Sequence, residues 1–221
     1  MDILRQEVHN KRNYTIAFRI QKSGLREFWT LETYPWHLQK SLQKHKRALL
    51  ELAELDFMDR GESVVLIGSP GVGKTGLASG ILLKALYAGR TAFCIKAQDL
   101  FEELDASVAD RSTKSFLKRL SKIDLLLLDE WGYVSPPSKN LINNFFRLMD
   151  SRCNRKSTII TTNLGFQEWG KFLDNGPLVS ALLSRLLQKC HTFFVNGVNL
   201  RHPNLKLPSS PPKPPILDTL I

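Results

Sequence analysis

One run of eight residues decides most of what this chain can fold into. Gly68-Ser69-Pro70-Gly71-Val72-Gly73-Lys74-Thr75 has glycines at its first and sixth positions, then lysine and threonine. That spacing is the pattern of a phosphate-binding loop. Ser63–Ile67 (SVVLI) precedes it, a β-branched run suited to a buried parallel strand. Lys74–Ala88 follows as a helix closed by Gly89. Glycines allow backbone N–H groups to turn inward around phosphates, and the helix adds its positive N-terminus. Gly68 through Gly76 therefore form the predicted nucleotide cradle. Lys74 is expected to reach the β- and γ-phosphates, and Thr75 to present its hydroxyl to Mg²⁺.

The rest of the chain supplies a sheet for this loop. Strands are expected at Thr91–Lys96, Ile123–Leu128, Ser157–Thr162 and His191–Val195, with helices at Gln98–Val108, Ser112–Ser121, Ser138–Arg152, Gly165–Phe172 and Pro177–Lys189. Trp36–Arg60 has Leu38, Leu42, Leu49 and Leu52 at helical spacing and is expected to be one more helix. Five strands interleaved with helices predict an α/β fold, a P-loop NTPase with a mainly parallel sheet covered by helices on both faces. Residues 1–35 lack clean periodicity and read as a lead-in, 36–202 as the nucleotide-binding domain without a separate carboxyl-terminal lid. The proline-rich stretch 203–221 reads as a disordered tail.

Ligands of such sheets sit beyond the carboxyl ends of the strands, where the polar residues collect. Asp129 and Glu130 end an apolar strand; Asp129 is placed to hold the hydration shell of Mg²⁺, and Glu130 to accept a proton from an attacking water. Two carboxylates favour hydrolysis over transfer to a held acceptor. Asn163 ends the Ser157–Thr162 strand, within reach of that water if the strands are neighbours. Arg185 and Arg201 are candidates to stabilise charge building on the γ-phosphate. The residues alone leave open whether either does so or lies on the surface.

Charge extends the reading to partners. Lys and Arg number 31 against 21 Asp and Glu, an excess that favours nucleic acid through counterion release. Arg111, Lys114, Lys118 and Lys122, with Arg119 adjacent, step by three or four residues along one helix face. They form either a DNA-gripping ridge or a solvated face. Lys40, Lys44, His45, Lys46 and Arg47 make a second basic cluster. Cys94, Cys153 and Cys190 lack paired or metal-like spacing and are expected to be reduced thiols. With no signal-like start and no membrane-length apolar run, the chain is expected in the cytoplasm.

In this order and spacing, GSPGVGKTGLA, LLLLDEWGY, STIITTNLGFQEW and ALLSRLLQ resemble the IstB-like and DnaC-like ATPases of the AAA+ class, transposition helpers and bacterial helicase loaders. The resemblance runs from about Phe18 to Arg201. It implies an AAA+ five-stranded sheet, ATP-dependent assembly into homo-oligomeric rings or filaments, and DNA held by the assembly. Asn163 then matches sensor I and Arg185 an arginine finger acting on a neighbouring subunit's ATP. Arg201 resembles a sensor-like arginine, and Gln98–Ser121 the clade's DNA-facing helices. Gly76 stands where the family usually has His, and Ser184 where an acid precedes the finger. Only 34 residues precede Pro35, so the family's partner-binding module is expected to be shortened. The implied function is an ATPase that assembles on DNA and recruits a transposase, with loading of a replicative helicase as the alternative. A small-molecule kinase is less favoured, because it needs an arginine-bearing lid and an acceptor pocket.

Overall fold

A computed structural model describes residues 2–133, 138–173 and 176–201, apart from the side chains of residues 2–6, 8–10 and 12. The chain opens with α1 (Asp2–Lys22) and continues through α2 (Lys40–Gln43), α3 (Lys46–Glu51) and α4 (Asp56–Asp59) to β1 (Ser63–Ile67) and α5 (Lys74–Tyr87). Next come β2 (Ala92–Lys96), α6 (Ala97–Ala109), α7 (Thr113–Lys122), β3 (Leu125–Trp131) and α8 (Lys139–Arg152). The last elements are β4 (Ser157–Thr162), α9 (Phe166–Phe172), α10 (Gly176–Gln188) and β5 (Cys190–Phe194).

The sheet is wholly parallel, in the order β2-β3-β4-β1-β5. Its side chains alternate between two apolar layers, as a pleated strand requires. Val64, Leu66, Leu125, Leu127 and Ile159 face α1, α5 and the turns before β1. Val65, Ile67, Leu126, Leu128 and Ile160 face α6 through α10. This is the α/β sheet expected from the sequence, covered on both faces.

Two expectations change. The helix expected over Trp36–Arg60 is broken into α2, α3, α4 and two 3₁₀ turns, Trp36–Leu38 and Leu52–Glu54. The leucine spacing is helical, but Leu42, Leu49, Leu52, Leu55, Phe57 and Met58 must all enter one core. Separate turns bring them in, and Leu55 reverses the chain with a left-handed φ of 69°. The lead-in is also ordered: α1 is helical, and Ile16, Ile20, Leu31 and Tyr34 join the core around α5. Residues 23–34 form a strap across the sheet edge, where Cys94 N–H donates to Ser23 O at 2.6 Å. Its Trp29 ring lies against Gly76, where an added Cβ would meet Trp29 at 3.3 Å. Trp29 thus occupies the space a larger residue at position 76 would need. The tail expected over 203–221 lies outside the described residues.

The amino ends of the strands are tied by two charged residues. Arg152, 1% exposed, donates to the carbonyls of Leu120 at 2.6 Å, Ile123 at 2.7 Å and Ser157 at 2.5 Å. Asp124 accepts from Thr91 Oγ1 at 2.7 Å and Lys156 Nζ at 2.5 Å. Together they join β2, β3, β4, α7 and α8, fixing the register in which the opposite strand ends deliver the site. Cys94, Cys153 and Cys190 are free thiols. Burial pushes the Cys94 thiol up to about 12 and the Cys190 thiol up to about 11.

Candidate nucleotide site

The loop after β1 is held in place from three sides. Gly68 N–H donates to Thr162 O at 3.0 Å, which carries the sheet one residue further. Leu200 N–H donates to Gly71 O at 2.7 Å, and the Tyr34 hydroxyl to Val72 O at 3.3 Å. Gly71 and Gly73 have φ of 79° and 91°, a region closed to most side chains. A Cβ on Gly71 would overlap Asn199, and one on Gly73 would meet Leu200 and Tyr34. Those glycines let the loop turn tightly beneath its neighbours.

Lys74 opens α5 with only 8% of its surface exposed. Its ammonium donates to Gly68 O at 2.8 Å and Ser69 O at 2.9 Å, curling back into the loop. Burial brings it down to about 8, against the pull of the Asp129 carboxylate and helped by repulsion from Arg201. A desolvated cation held only by carbonyls suits a polyanion. The glycine cradle and this lysine fit a triphosphate.

Asp129, 4% exposed, accepts from Thr75 Oγ1 at 2.9 Å and Thr161 Oγ1 at 2.5 Å. Neighbouring hydroxyl and carboxylate oxygens are the hard donor set that Mg²⁺ takes, so Thr75 and Asp129 fit that ion. Glu130 follows in a left-handed conformation, φ 58°, with a register shift in β3 between Leu128 and Trp131. Such strain collects where a side chain must be re-aimed. Here it turns Glu130 away from the sheet, its N–H on Thr161 Oγ1 at 3.0 Å and its carboxylate on Lys96 Nζ at 2.7 Å. The strand runs on past the Leu128 end expected for it, because Trp131 is fully buried and stacks on Phe145.

β4 lies between β3 and β1, so the ends bearing Asp129–Glu130, Asn163 and the loop are adjacent. Asn163 is exposed, its Oδ1 beside Gly132, and it does not line the cavity that holds Glu130. Arg201 joins Thr75, Asp129, Glu130 and Lys96 around a cavity of about 290 Å³, roofed by Gly24–Glu27 of the strap. Arg185 is elsewhere. It pairs with Asp150 of α8 in a second cavity that includes Ser63 and Thr158, at the amino ends of β1 and β4. A five-residue strand, about 16 Å at its usual rise, separates that end from the phosphate loop.

The basic ridge divides. Arg111, Lys114, Lys118 and Lys122 are exposed along and before α7, whereas Arg119 pairs with Glu103 at 3.3 Å and lies over Phe116. In the second cluster, Lys46 sits over Trp36, Arg47 pairs with Glu51 at 2.9 Å, and His45 packs edge-on against Phe193. Sequence reasoning missed Thr161, Lys96, Asn199 and the strap residues Trp29 and Tyr34. The Thr-Thr before Asn163 was the one available signal, since two hydroxyls in an apolar strand need partners.

Among the described residues no helix is long and apolar enough to cross a membrane. The family model for the IstB-like ATP binding protein matches residues 1–207. An ATP-binding protein of insertion sequence IS21 from Pseudomonas aeruginosa is 33% identical over 90% of this chain and 74% of its own length. Its counterpart in insertion sequence IS232 of Bacillus thuringiensis is 32% identical over 77% and 67%. Among solved structures, the DnaC helicase loader superposes with a TM-score of 0.59 at 22% identity, covering 71% of this chain and 90% of that one. That likeness is one of fold, the AAA+ type of P-loop sheet.

Proposed function

From the premise that this chain belongs to the IstB-like ATP-binding protein family, we propose that it is a Mg²⁺-dependent ATPase whose ATP-bound copies assemble on DNA and recruit the transposase of an insertion sequence. One observation supports the reading: β3, β4 and β1 are neighbours, so the strand ends that lead to the acidic pair, the asparagine and the phosphate loop lie side by side.

Lys74 leaves the carbonyls of Gly68 and Ser69 for the β- and γ-phosphates. Thr75 and Asp129 would hold Mg²⁺, which when bound would neutralise charge on the phosphoryl oxygens. Glu130 must part from Lys96 before it can take the proton of the attacking water, whose oxygen bonds to the γ-phosphorus as the bridging bond breaks. Asn163 orients that water, and Arg201 draws on the γ-phosphate from the same chain. Arg185, remote from its own loop, acts on the nucleotide of the neighbouring copy. The exposed cations along and just before α7, Arg111, Lys114, Lys118 and Lys122, grip DNA phosphates, with Arg119 held back by Glu103.

The test separates binding from hydrolysis. Lys74→Ala is expected to abolish binding of a fluorescent ATP analogue. Glu130→Gln should keep binding and accumulate DNA-bound assemblies visible by electron microscopy. Normal turnover by Glu130→Gln would sink the assignment of the base. The DnaC-like fold supports a second reading, a helicase loader. Capture of the transposase or of the replicative helicase by the ATP-bound protein decides between them.

A further inference from the structure

The cavity that holds Arg185 is an apolar cleft between α8 and α10, about 270 Å³, floored by Phe146, Met149, Leu182 and Leu186. Its rim is basic, with Arg147, Lys156, Arg185 and Lys189, and Asp150 is the one acid among its described lining residues. Arg185 is engaged by Asp150 and Lys156 by Asp124. Arg147 and Lys189 have no ion pair among the described residues. The cleft is therefore an apolar socket with a net positive edge, remote from its own phosphate loop.

A two-fold contact would set this basic rim against itself, and like charges across an interface cost several kcal/mol. The matching surface is acidic, and the chain carries one. On the outer side of α6, Glu102 and Asp105 are exposed a turn apart, followed by Val108, 44% exposed. Asp105 has no ion pair among the described residues. Carboxylates around an apolar side chain complement cations around an apolar floor. This face is also continuous with the nucleotide cavity, since Asp99 and Glu103 of the same helix line it beside Asp129. The carboxylates that suit it to the cleft also make it repel DNA, which leaves phosphate contact to α7.

We propose that the α8–α10 cleft of one copy receives the acidic face of α6 from the next, joining copies head to tail. This rests on the ATP-dependent assembly proposed above and assigns its two surfaces. Asp150 is then the resting partner that Arg185 gives up when the next copy's nucleotide edge arrives.

Charge reversal on each surface tests the pairing. One variant carries Glu102→Lys with Asp105→Lys, the other Arg147→Glu with Lys189→Glu; all four sites are exposed and outside the nucleotide cradle. With ATP analogue, each alone should need at least about tenfold more protein to assemble by sedimentation velocity, with nucleotide affinity unchanged. Mixed one to one, they should co-assemble, because every junction in an alternating array pairs opposite charges. Variants that assemble normally alone, or stay apart when mixed, overturn the pairing. So does a cleft variant that loses only DNA binding, which would make the cleft a nucleic-acid site. A wild-type protein that fails to assemble with ATP overturns the assembly reading itself, so the two failures are distinct.

Discussion

Thr161 holds the two carboxylates of the site in different jobs. Its hydroxyl donates to Asp129 and accepts the N–H of Glu130, so one oxygen fixes both the buried acid and the strained backbone beside it. Thr161→Val keeps the shape and removes both bonds. Hydrolysis should fall roughly 10–100-fold, the usual loss when a ligand's supporting partner goes, with little change in ATP affinity. Steady-state kinetics would show the drop in kcat with KM nearly constant, and Thr161→Ser should recover most of it. Equal loss of affinity would mean that Thr161 serves the fold. The loop was legible in the sequence because its glycines, Lys74 and Thr75 lie in one continuous run whose spacing is the signal. Asp129 and Glu130 were legible as a charged end to an apolar strand. Thr161 and Lys96 were hidden, since their roles are set by a neighbouring strand and no spacing within one strand encodes it.

At the scale of elements, the parallel sheet is positioned from its amino ends. The Asp124 carboxylate is held well below its usual range, at about 2: burial would raise it, and the hydrogen bonds from Lys156 and Thr91 outweigh that. A carboxyl whose folded value is depressed contributes stability above its unfolded value near 3.8, and loses it as pH falls toward 2. Asp124 is partly solvated, so screening reduces that contribution to about 1 kcal/mol. Asp124→Asn should lower the urea midpoint at pH 7 and flatten the acid limb over the window between the unfolded value near 3.8 and the folded value of about 2. An unchanged acid limb would show that Asp124 is not what ties β2 and β4 to β3. Strands and long helices were legible as apolar runs and periodic faces. The region 36–60 was not: its leucines keep helical spacing, yet reaching one core required separate turns. The strap was equally hidden, because Trp29 packs on Gly76 and Tyr34 on Gly73, contacts far along the chain that local periodicity does not report.

At the scale of the whole molecule, the proposed assembly would divide the reaction between copies through the two arginines. Arg201 borders the cavity of its own Asp129 and Glu130, while Arg185 lies at the opposite ends of the strands. If each ATP needs an arginine from the next copy, no isolated chain holds a complete site. Arg185→Ala should then bind ATP normally and lose on the order of 10³ in turnover. Lys74→Ala should be inactive for lack of nucleotide, yet its Arg185 remains available. Mixing the two inactive proteins should restore hydrolysis that neither shows alone, since the intact loop of one meets the intact arginine of the other. The recovered rate should fall on dilution, because the site forms between chains, whereas a site within one chain would be independent of concentration. A mixture that stays silent while the two variants co-assemble would return Arg185 to a structural partner of Asp150. The head-to-tail junction would then have to bring some other cation to the γ-phosphate.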